Sequence, residues 1–363
     1  MRVAEHIKNL KPYQGGKPIE ELKRELGIEG RIVKLASNEN PLGPSKKARE
    51  AIKEAASSVN LYPDGDCYYL KEKLSFKLGV EKGNIIFGNG SDELIELIYR
   101  AFGTDEGDEI LYCYPTFVEY KIIGMSFNKK LVELPLKDFS YDIDSLLNSI
   151  NEKTRIIFLN TPNNPTGTII KKGDIERVIS AKGKDTLVVV DEAYYEYAIA
   201  EDDYEELLEL YKEDGVILLR TFSKAYGLAG LRIGYGIAGE EIVDYLNRVR
   251  PPFNVNSIAQ AAALAALDDD EHIKNSVESN KRGKEFLYRE FERLGIKYVK
   301  TYSNFILFDV GEDADAVYDK LLRKGIIVRS MSGYGYKSML RVTIGTMDEN
   351  EIFIKGLREV LNV

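Results

Sequence analysis

Three short apolar runs, Arg155-Ile-Ile-Phe-Leu159, Thr186-Leu-Val-Val-Val190 and Val216-Ile-Leu-Leu219, constrain the fold more than any other feature of the chain. Each is too short for a buried helix, and each lacks the polar alternation of a strand with one wet face, so each reads as a strand covered on both sides. Such strands need helices above and below them. Ile85-Ile-Phe87, Glu109-Ile-Leu-Tyr-Cys113 and Lys130-Leu-Val-Glu-Leu134 read as further strands, with helical stretches at 45–57, 70–78, 94–102 and 119–126 between or before them. Strands alternating with helices in this way predict an α/β fold: a three-layer, mostly parallel sheet with helices on both faces.

The pattern changes near Arg250-Pro251-Pro252-Phe253. An alanine-rich helix (257–267) and a long charged one (273–294) are followed by strands at 304–308, 326–329 and 340–344, with helices at 314–322 and 349–361. That predicts a smaller α+β domain. A chain of 363 residues exceeds the size at which one core usually stops growing. We therefore expect a large domain over 30–250, and a second unit formed by 251–363 with the arm 1–29 packed on it. The arm holds a short helix from Ile19 to Leu26, stopped at Gly27, and a brief strand, Ile32 to Ala36, runs from it into the proline-rich turn Asn38-Glu-Asn40-Pro41-Leu-Gly-Pro44.

Composition narrows the function. With 44% hydrophobic and 30% charged residues and a net charge of −9, the chain reads as globular and lacks the clustered basic surface of a nucleic-acid binder. No stretch approaches a membrane span, and the opening Met-Arg-Val-Ala-Glu-His6 lacks the apolar core of a signal peptide, so a cytoplasmic location is the expectation. Cys67 and Cys113 lie far apart, fit neither a disulfide framework nor a thiolate metal site, and read as small buried residues. His6 and His272 are the only histidines. That weakens any reading built on a histidine base, a Ser-His-Asp triad or an imidazole metal site.

Four features stand at or just past strand ends, where binding sites of doubly wound sheets lie. Gly88-Asn-Gly90-Ser91-Asp92 opens a helix whose free N–H groups suit a phosphate, although it is neither a dinucleotide fingerprint nor a P-loop, and a plain helix start stays open. Asn164, in Asn160-Thr-Pro162-Asn-Asn164-Pro165, offers an amide donor from an irregular turn. Asp191, in Asp191-Glu192-Ala-Tyr194, is a carboxylate at the end of a buried strand, which calls for a cation unless it caps the next helix. Thr221-Phe-Ser223-Lys224 sends two hydroxyls to one side, with a deprotonable amine next to them and Arg232 eight residues on. Together they describe a phosphate cup, a carboxylate for a protonated ring nitrogen, a donor for a phenolate oxygen and an amine for a Schiff base. Those are the four demands of pyridoxal 5'-phosphate.

These motifs resemble those of the fold-type I pyridoxal-phosphate aminotransferases. The resemblance implies that Lys224 forms the Schiff base and carries the proton, that Asp191 keeps the ring nitrogen protonated, and that Asn164 and Tyr194 bond the ring hydroxyl. Gly90, Ser91, Asp92, Thr221, Ser223 and Arg232 would hold the phosphate, and Phe117, in Tyr114-Pro-Thr-Phe117, matches the position that stacks on the ring. Leu10-Lys-Pro-Tyr13, Leu35-Ala-Ser-Asn-Glu-Asn-Pro41-Leu-Gly-Pro44, Tyr62-Pro63 and Leu340-Arg341-Val-Thr-Ile-Gly345-Thr are similar to the histidinol-phosphate aminotransferases over nearly the whole chain. That similarity implies an amino transfer between histidinol phosphate and 2-oxoglutarate or glutamate, in histidine biosynthesis. It implies a homodimer in which Tyr62 reaches the neighbour's cofactor phosphate, and substrate anions bound by Arg341 with help from Tyr13 and Arg329. By position alone Arg341 points opposite to Leu340 and Val342, which a solvated face would also produce.

Other readings share the same apparatus. An aromatic-amino-acid aminotransferase and a phosphothreonine decarboxylase differ only in residues that read the substrate side chain. A non-catalytic effector domain of this fold would be expected to carry a DNA-binding module, for which the stretches assigned above leave no residues.

Overall fold

A computed structural model describes residues 1–8, 10, 15–27, 30–103 and 105–362. In chain order its strands are β1 (Val33–Lys34), β2 (Ile85–Gly88), β3 (Glu109–Tyr114), β4 (Lys130–Pro135), β5 (Thr154–Asn160), β6 (Leu187–Asp191), β7 (Val216–Thr221), β8 (Gly234–Ala238), β9 (Phe305–Asp309), β10 (Ile326–Ile327), β11 (Arg329–Ser330) and β12 (Met339–Thr343). Seven of them form one sheet in the order β2-β8-β7-β6-β5-β3-β4. Neighbours from β7 through to β4 pair in parallel, and β8 runs antiparallel to both β2 and β7. The chain is therefore α/β with a mostly parallel sheet, as its apolar runs predict.

Alternation along the central strands splits the core into two layers. Ile157, Leu159, Val188, Val190, Val216 and Leu218 face one of them, while Ile156, Phe158, Leu187, Val189, Ile217 and Leu219 face the other. All twelve are buried, so neither face of the sheet is wet along these three strands. The same alternation sets where the polar residues at the strand ends go. Asp191 and Thr221 continue the second row, whereas Glu192 and Arg220 continue the first.

Register brings those ends into line. Asn160 pairs with Asp191 and Asp191 with Leu219, while Thr221 and Gly88 each pair with Gly234. Gly234 is fixed by close approach: a Cβ there would lie 2.5 Å from the backbone N of Ser91. The helix Ser91–Phe102 thereby starts directly against the end of β7. Strand β8 and the helix Glu240–Val249 are absent from the expectations above, because glycines at 234 and 236 interrupt the apolar signal of β8.

The C-terminal part has its own core, in which Leu287, Phe291, Ile306, Phe308, Val342 and Phe353 are buried. It contains the antiparallel sheet β11-β12-β9 and the helices Asp270–Arg293, Ala314–Arg323 and Met347–Leu361. The run 326–329, expected as one strand, is divided. Ile326 and Ile327 pair with β1, and Arg329 and Ser330 with β12, so a change of partner at Val328 breaks the strand. Val33 and Leu35 belong to this same core, which draws the chain past residue 30 toward the C-terminal part. Among the described residues, no helix is long and apolar enough to cross a membrane.

Candidate active site

A cavity of about 200 Å³ lies where the carboxyl ends of β5, β6 and β7 meet the start of the helix Ser91–Phe102 and the strands β11 and β12. Of the residues singled out in the sequence, Ser91, Asp92, Phe117, Asn164, Asp191, Tyr194, Thr221, Ser223, Lys224, Arg232, Arg329 and Arg341 line it. Gly90 stands beside it with φ +82°, and a Cβ there would lie 2.5 Å from Arg232 Nη2. Only glycine suits both the backbone angle and the space.

One end of the cavity is a cup for an anion. Thr221 Oγ1 donates to Ser223 Oγ at 3.0 Å, and the Ser223 N–H donates to Thr221 Oγ1 at 3.1 Å. Arg232 Nη1 donates to Ser223 Oγ at 3.3 Å and Nη2 to Asp92 Oδ2 at 2.8 Å. The helix start adds backbone N–H groups that have no partner within the helix, at the positive end of its dipole. What Asp92 can offer an anion is its helix-start N–H, since its carboxylate is engaged by Arg232 and would repel negative charge.

Deeper in, Asp191 is 2% exposed. Tyr120 Oη donates to its Oδ2 at 2.6 Å, and the Ala193 N–H donates to its Oδ1 at 3.1 Å. Burial pushes the Asp191 carboxyl up to about 6 against the pull of those two donors, and Asp92 and Glu192 add to the rise. A cation against Asp191 would relieve that penalty. Glu192 points to the other face, where its carboxylate meets the buried Arg220 guanidinium at 2.9 Å.

Lys224 Nζ lies 3.4 Å from the carbonyl oxygen of Ser37 and 5.6 Å from the centre of the Tyr194 ring. Burial first, and then the Arg341 charge, lowers its amine to about 8. Near neutral pH a useful share is then unprotonated and nucleophilic. Tyr194 is buried, which raises its phenol to about 12, and its oxygen accepts from Asn38 Nδ2 at 2.8 Å. Asn164 is held by its N–H donating to Asn160 Oδ1 at 2.8 Å, and its carbonyl oxygen accepts from Arg341 Nη1. Its carbonyl is thus committed, and its NH2 remains as a donor.

The far end is cationic. Arg341 and Arg329 are register partners on β12 and β11, and both line the cavity. Arg341 is 7% exposed, and its Nη2 donates to the carbonyl oxygen of Ala36 at 2.8 Å. Like charges directly opposite each other across a ladder repel, and an anion between them reverses the sign of that interaction.

Two expected residues are not placed in this cavity. Tyr62 is 84% exposed and stacks on Phe253 with centroids 4.9 Å apart, and Tyr13 lies outside the described residues. Conversely, Gly16, Asn38, Glu119, Asn160 and Tyr334 line the cavity without having been singled out as site residues, and Tyr120 reaches it through Asp191. Asn38 had a readable signal. It stands in a proline-bounded polar stretch, its φ is +55°, and it is buried by bonds to Thr343 and Asn304. Tyr120 had none, being one of 23 tyrosines.

Comparison with known proteins places this geometry among aminotransferases. The family "Aminotransferase class I and II" matches residues 30–357. The histidinol-phosphate aminotransferase of Moorella thermoacetica is 49% identical over 359 residues, 98% of this chain and 92% of that protein. That of Bacillus subtilis is 44% identical over 362 residues, 99% of this chain and 100% of that protein. Among solved structures, the histidinol-phosphate aminotransferase of Sinorhizobium meliloti in complex with pyridoxal-5'-phosphate superposes with a TM-score of 0.90 at 29% identity, covering 99% of this chain and 98% of that one.

The electrostatics of Lys224 give a pH test. Acylation of the cofactor-free protein, followed at Lys224 by peptide mass spectrometry, is expected to be half-maximal near pH 8. Arg341→Gln removes a neighbouring positive charge, stabilises the ammonium and moves the midpoint to higher pH. A midpoint unchanged by that substitution contradicts the assigned cause.

Proposed function

The chain belongs to the class I and II aminotransferase family and, within it, to the histidinol-phosphate aminotransferases, and we propose on that footing that it moves an amino group between L-histidinol phosphate and 2-oxoglutarate or glutamate. Pyridoxal 5'-phosphate is its cofactor, and the reaction belongs to histidine biosynthesis. The donor set fits that group: the cup of Gly90, Ser91, Asp92, Thr221, Ser223 and Arg232 would take the phosphate, and Asp191 would take the ring nitrogen. The Asn164 NH2 and the Tyr194 hydroxyl would take the ring oxygen, and Phe117 would cover a face. When bound, the cofactor supplies an aldehyde for amines and a cationic ring that accepts the electron pair released at the substrate carbon.

The chain's own residues do the rest. Lys224, with an amine near 8, holds the cofactor and then moves the proton to and from the amine-bearing carbon of the substrate. Asp191 holds the proton on the ring nitrogen, and its burial strengthens that pairing. Tyr194 would meet the ring oxygen, its hydroxyl held by Asn38.

The observation that carries the substrate choice is the cross-strand pair Arg329 and Arg341. Two arginines that are register partners and both line the cavity suit the doubly charged phosphate of histidinol phosphate better than the single carboxylate of an aromatic amino acid. Arg341 also binds the carboxylate of glutamate in its turn, and Tyr13 helps at the substrate phosphate.

We also infer a homodimer with composite sites. Tyr62 is 84% exposed, and Val59, Leu61, Tyr69 and Phe76 are each at least 60% exposed nearby in the sequence. Exposed apolar residues in such density suit a second copy of the chain. Tyr62 would then reach the partner's phosphate cup. Cys67 and Cys113 are free and buried, in keeping with a cytoplasmic setting.

Two measurements test these readings. With histidinol phosphate, phenylalanine, tyrosine and phosphothreonine offered together as donors to 2-oxoglutarate, histidinol phosphate is expected to lead by at least about tenfold in kcat/KM, roughly 1.4 kcal/mol of transition-state binding. A lead for an aromatic amino acid overturns the substrate reading. For the dimer, Tyr62→Ala and Lys224→Ala subunits are each expected to be nearly inactive alone and to regain activity when mixed. One site of the mixed dimer then has both groups intact, and no recovery on mixing excludes action across the interface.

A further inference from the structure

Asp191 is held from outside the cavity by a residue with no part in the reading above. Tyr120, on the helix Glu119–Ser126, is fully buried, and its hydroxyl donates to Asp191 Oδ2 at 2.6 Å. Its ring cannot swing away. It stacks on Phe158 with centroids 4.2 Å apart and planes at 10°, and it meets Tyr112 and Phe117 edge-on at 6.1 and 5.7 Å. Its carbonyl oxygen accepts from Tyr99 Oη at 2.7 Å. The hydroxyl is thus aimed by four aromatic neighbours, one of which, Phe117, is itself a wall of the cavity.

We propose that Tyr120 is a positioning residue that sets the proton affinity of Asp191 and couples that carboxylate to the Phe117 wall, so that the cofactor's ring nitrogen meets an ionised partner at a fixed angle. The proposal rests on the reading of Asp191 as the ring-nitrogen partner. Its two oxygens are tied separately, Oδ1 by the Ala193 N–H and Oδ2 by Tyr120. A carboxylate oxygen accepts more than one donor, so each oxygen keeps capacity for a ring N–H.

The charges around Asp191 make the donor necessary. Asp92, from the helix Ser91–Phe102, and Glu192, next in its own chain, both raise its proton affinity, and burial raises it further. Tyr141 and Tyr194 are the other titratable groups whose protons sense Asp191, and burial keeps both neutral. Tyr120 is likewise kept protonated by burial, so it donates at every pH at which the enzyme works. Of the groups acting on Asp191, the Tyr120 hydroxyl and the Ala193 N–H lower its proton affinity, and only the first belongs to a side chain that substitution can remove.

The test is equilibrium dialysis of the holoenzyme against pyridoxal phosphate over a range of pH, with no substrate present. Affinity falls on the acid side as Asp191 takes up its proton near pH 6. Tyr120→Phe keeps the stacked ring and removes the donor, so the acid limb is expected to move up by about one pH unit, giving about fivefold weaker retention near pH 6 and less than about twofold change near pH 8. The cofactor's own groups titrate in both proteins, so the difference between them isolates Asp191. Replacing Tyr120 by 3-fluorotyrosine, a stronger donor of nearly the same shape, is expected to move the limb the other way, and it serves if Tyr120→Phe does not fold. A loss equal at all pH values, or no shift with either variant, overturns the proposal. Because no substrate enters the measurement, a different donor preference leaves this result standing.

Discussion

Taking a carboxylate out of water at the end of a central strand costs several kcal/mol unless something meets its charge, and the surroundings of Asp191 are arranged around that cost. Strand alternation turns Asp191 toward the layer of Tyr120 and Phe158, while Glu192 turns the opposite way to a buried arginine. Two consecutive acids thus have separate partners on separate faces. Among the described residues Asp191 is met by neutral donors, the Tyr120 hydroxyl and the Ala193 N–H, which leave its negative charge uncompensated, and the cationic ring proposed for this site would compensate it. Glu192 receives Arg220 outright, so its charge is spent inside the protein.

The sheet turns this local arrangement into a site. Because Gly234 stands between Gly88 and Thr221, the cup proposed for the phosphate forms at a fixed distance along the sheet edge from Asp191. Lys224 follows the cup by one residue, and the strands β11 and β12 close the other side with two arginines. The lowered amine of Lys224 and the raised carboxyl of Asp191 share a cause in burial. The first brings the Lys224 amine closer to neutral pH, where a proton can be exchanged at small cost, and the second is the penalty that a cation against Asp191 would relieve.

Much of this was legible in the sequence, for a physical reason. Strands buried on both faces leave apolar runs and their ends are marked by the first polar residue, so Asp191, Thr221, Ser223 and Lys224 stood out, and the structure gathers them around one cavity. Strand β8 did not, because the close approach that makes Gly234 necessary also removes the side chain that would have signalled a strand. The run 326–329 read as one strand because composition carries no trace of a change of partner. The contact of Tyr120 with Asp191 joins distant parts of the chain, which no spacing encodes, whereas Asn38 was marked only by the proline-bounded polar stretch in which it stands. Tyr62 is outside its own chain's cavity, and the role proposed for it requires a second copy.

The claim on which the others depend is that Lys224 is the amine joined to the cofactor. Borohydride reduction of the holoenzyme, followed by digestion and peptide mapping, tests it directly. The expected result is one pyridoxyl group per chain, on the peptide that contains Thr221, Ser223 and Lys224, and no labelling after Lys224→Ala. A pyridoxyl group on any other lysine, or equal labelling of the Lys224→Ala protein, would contradict the site described above.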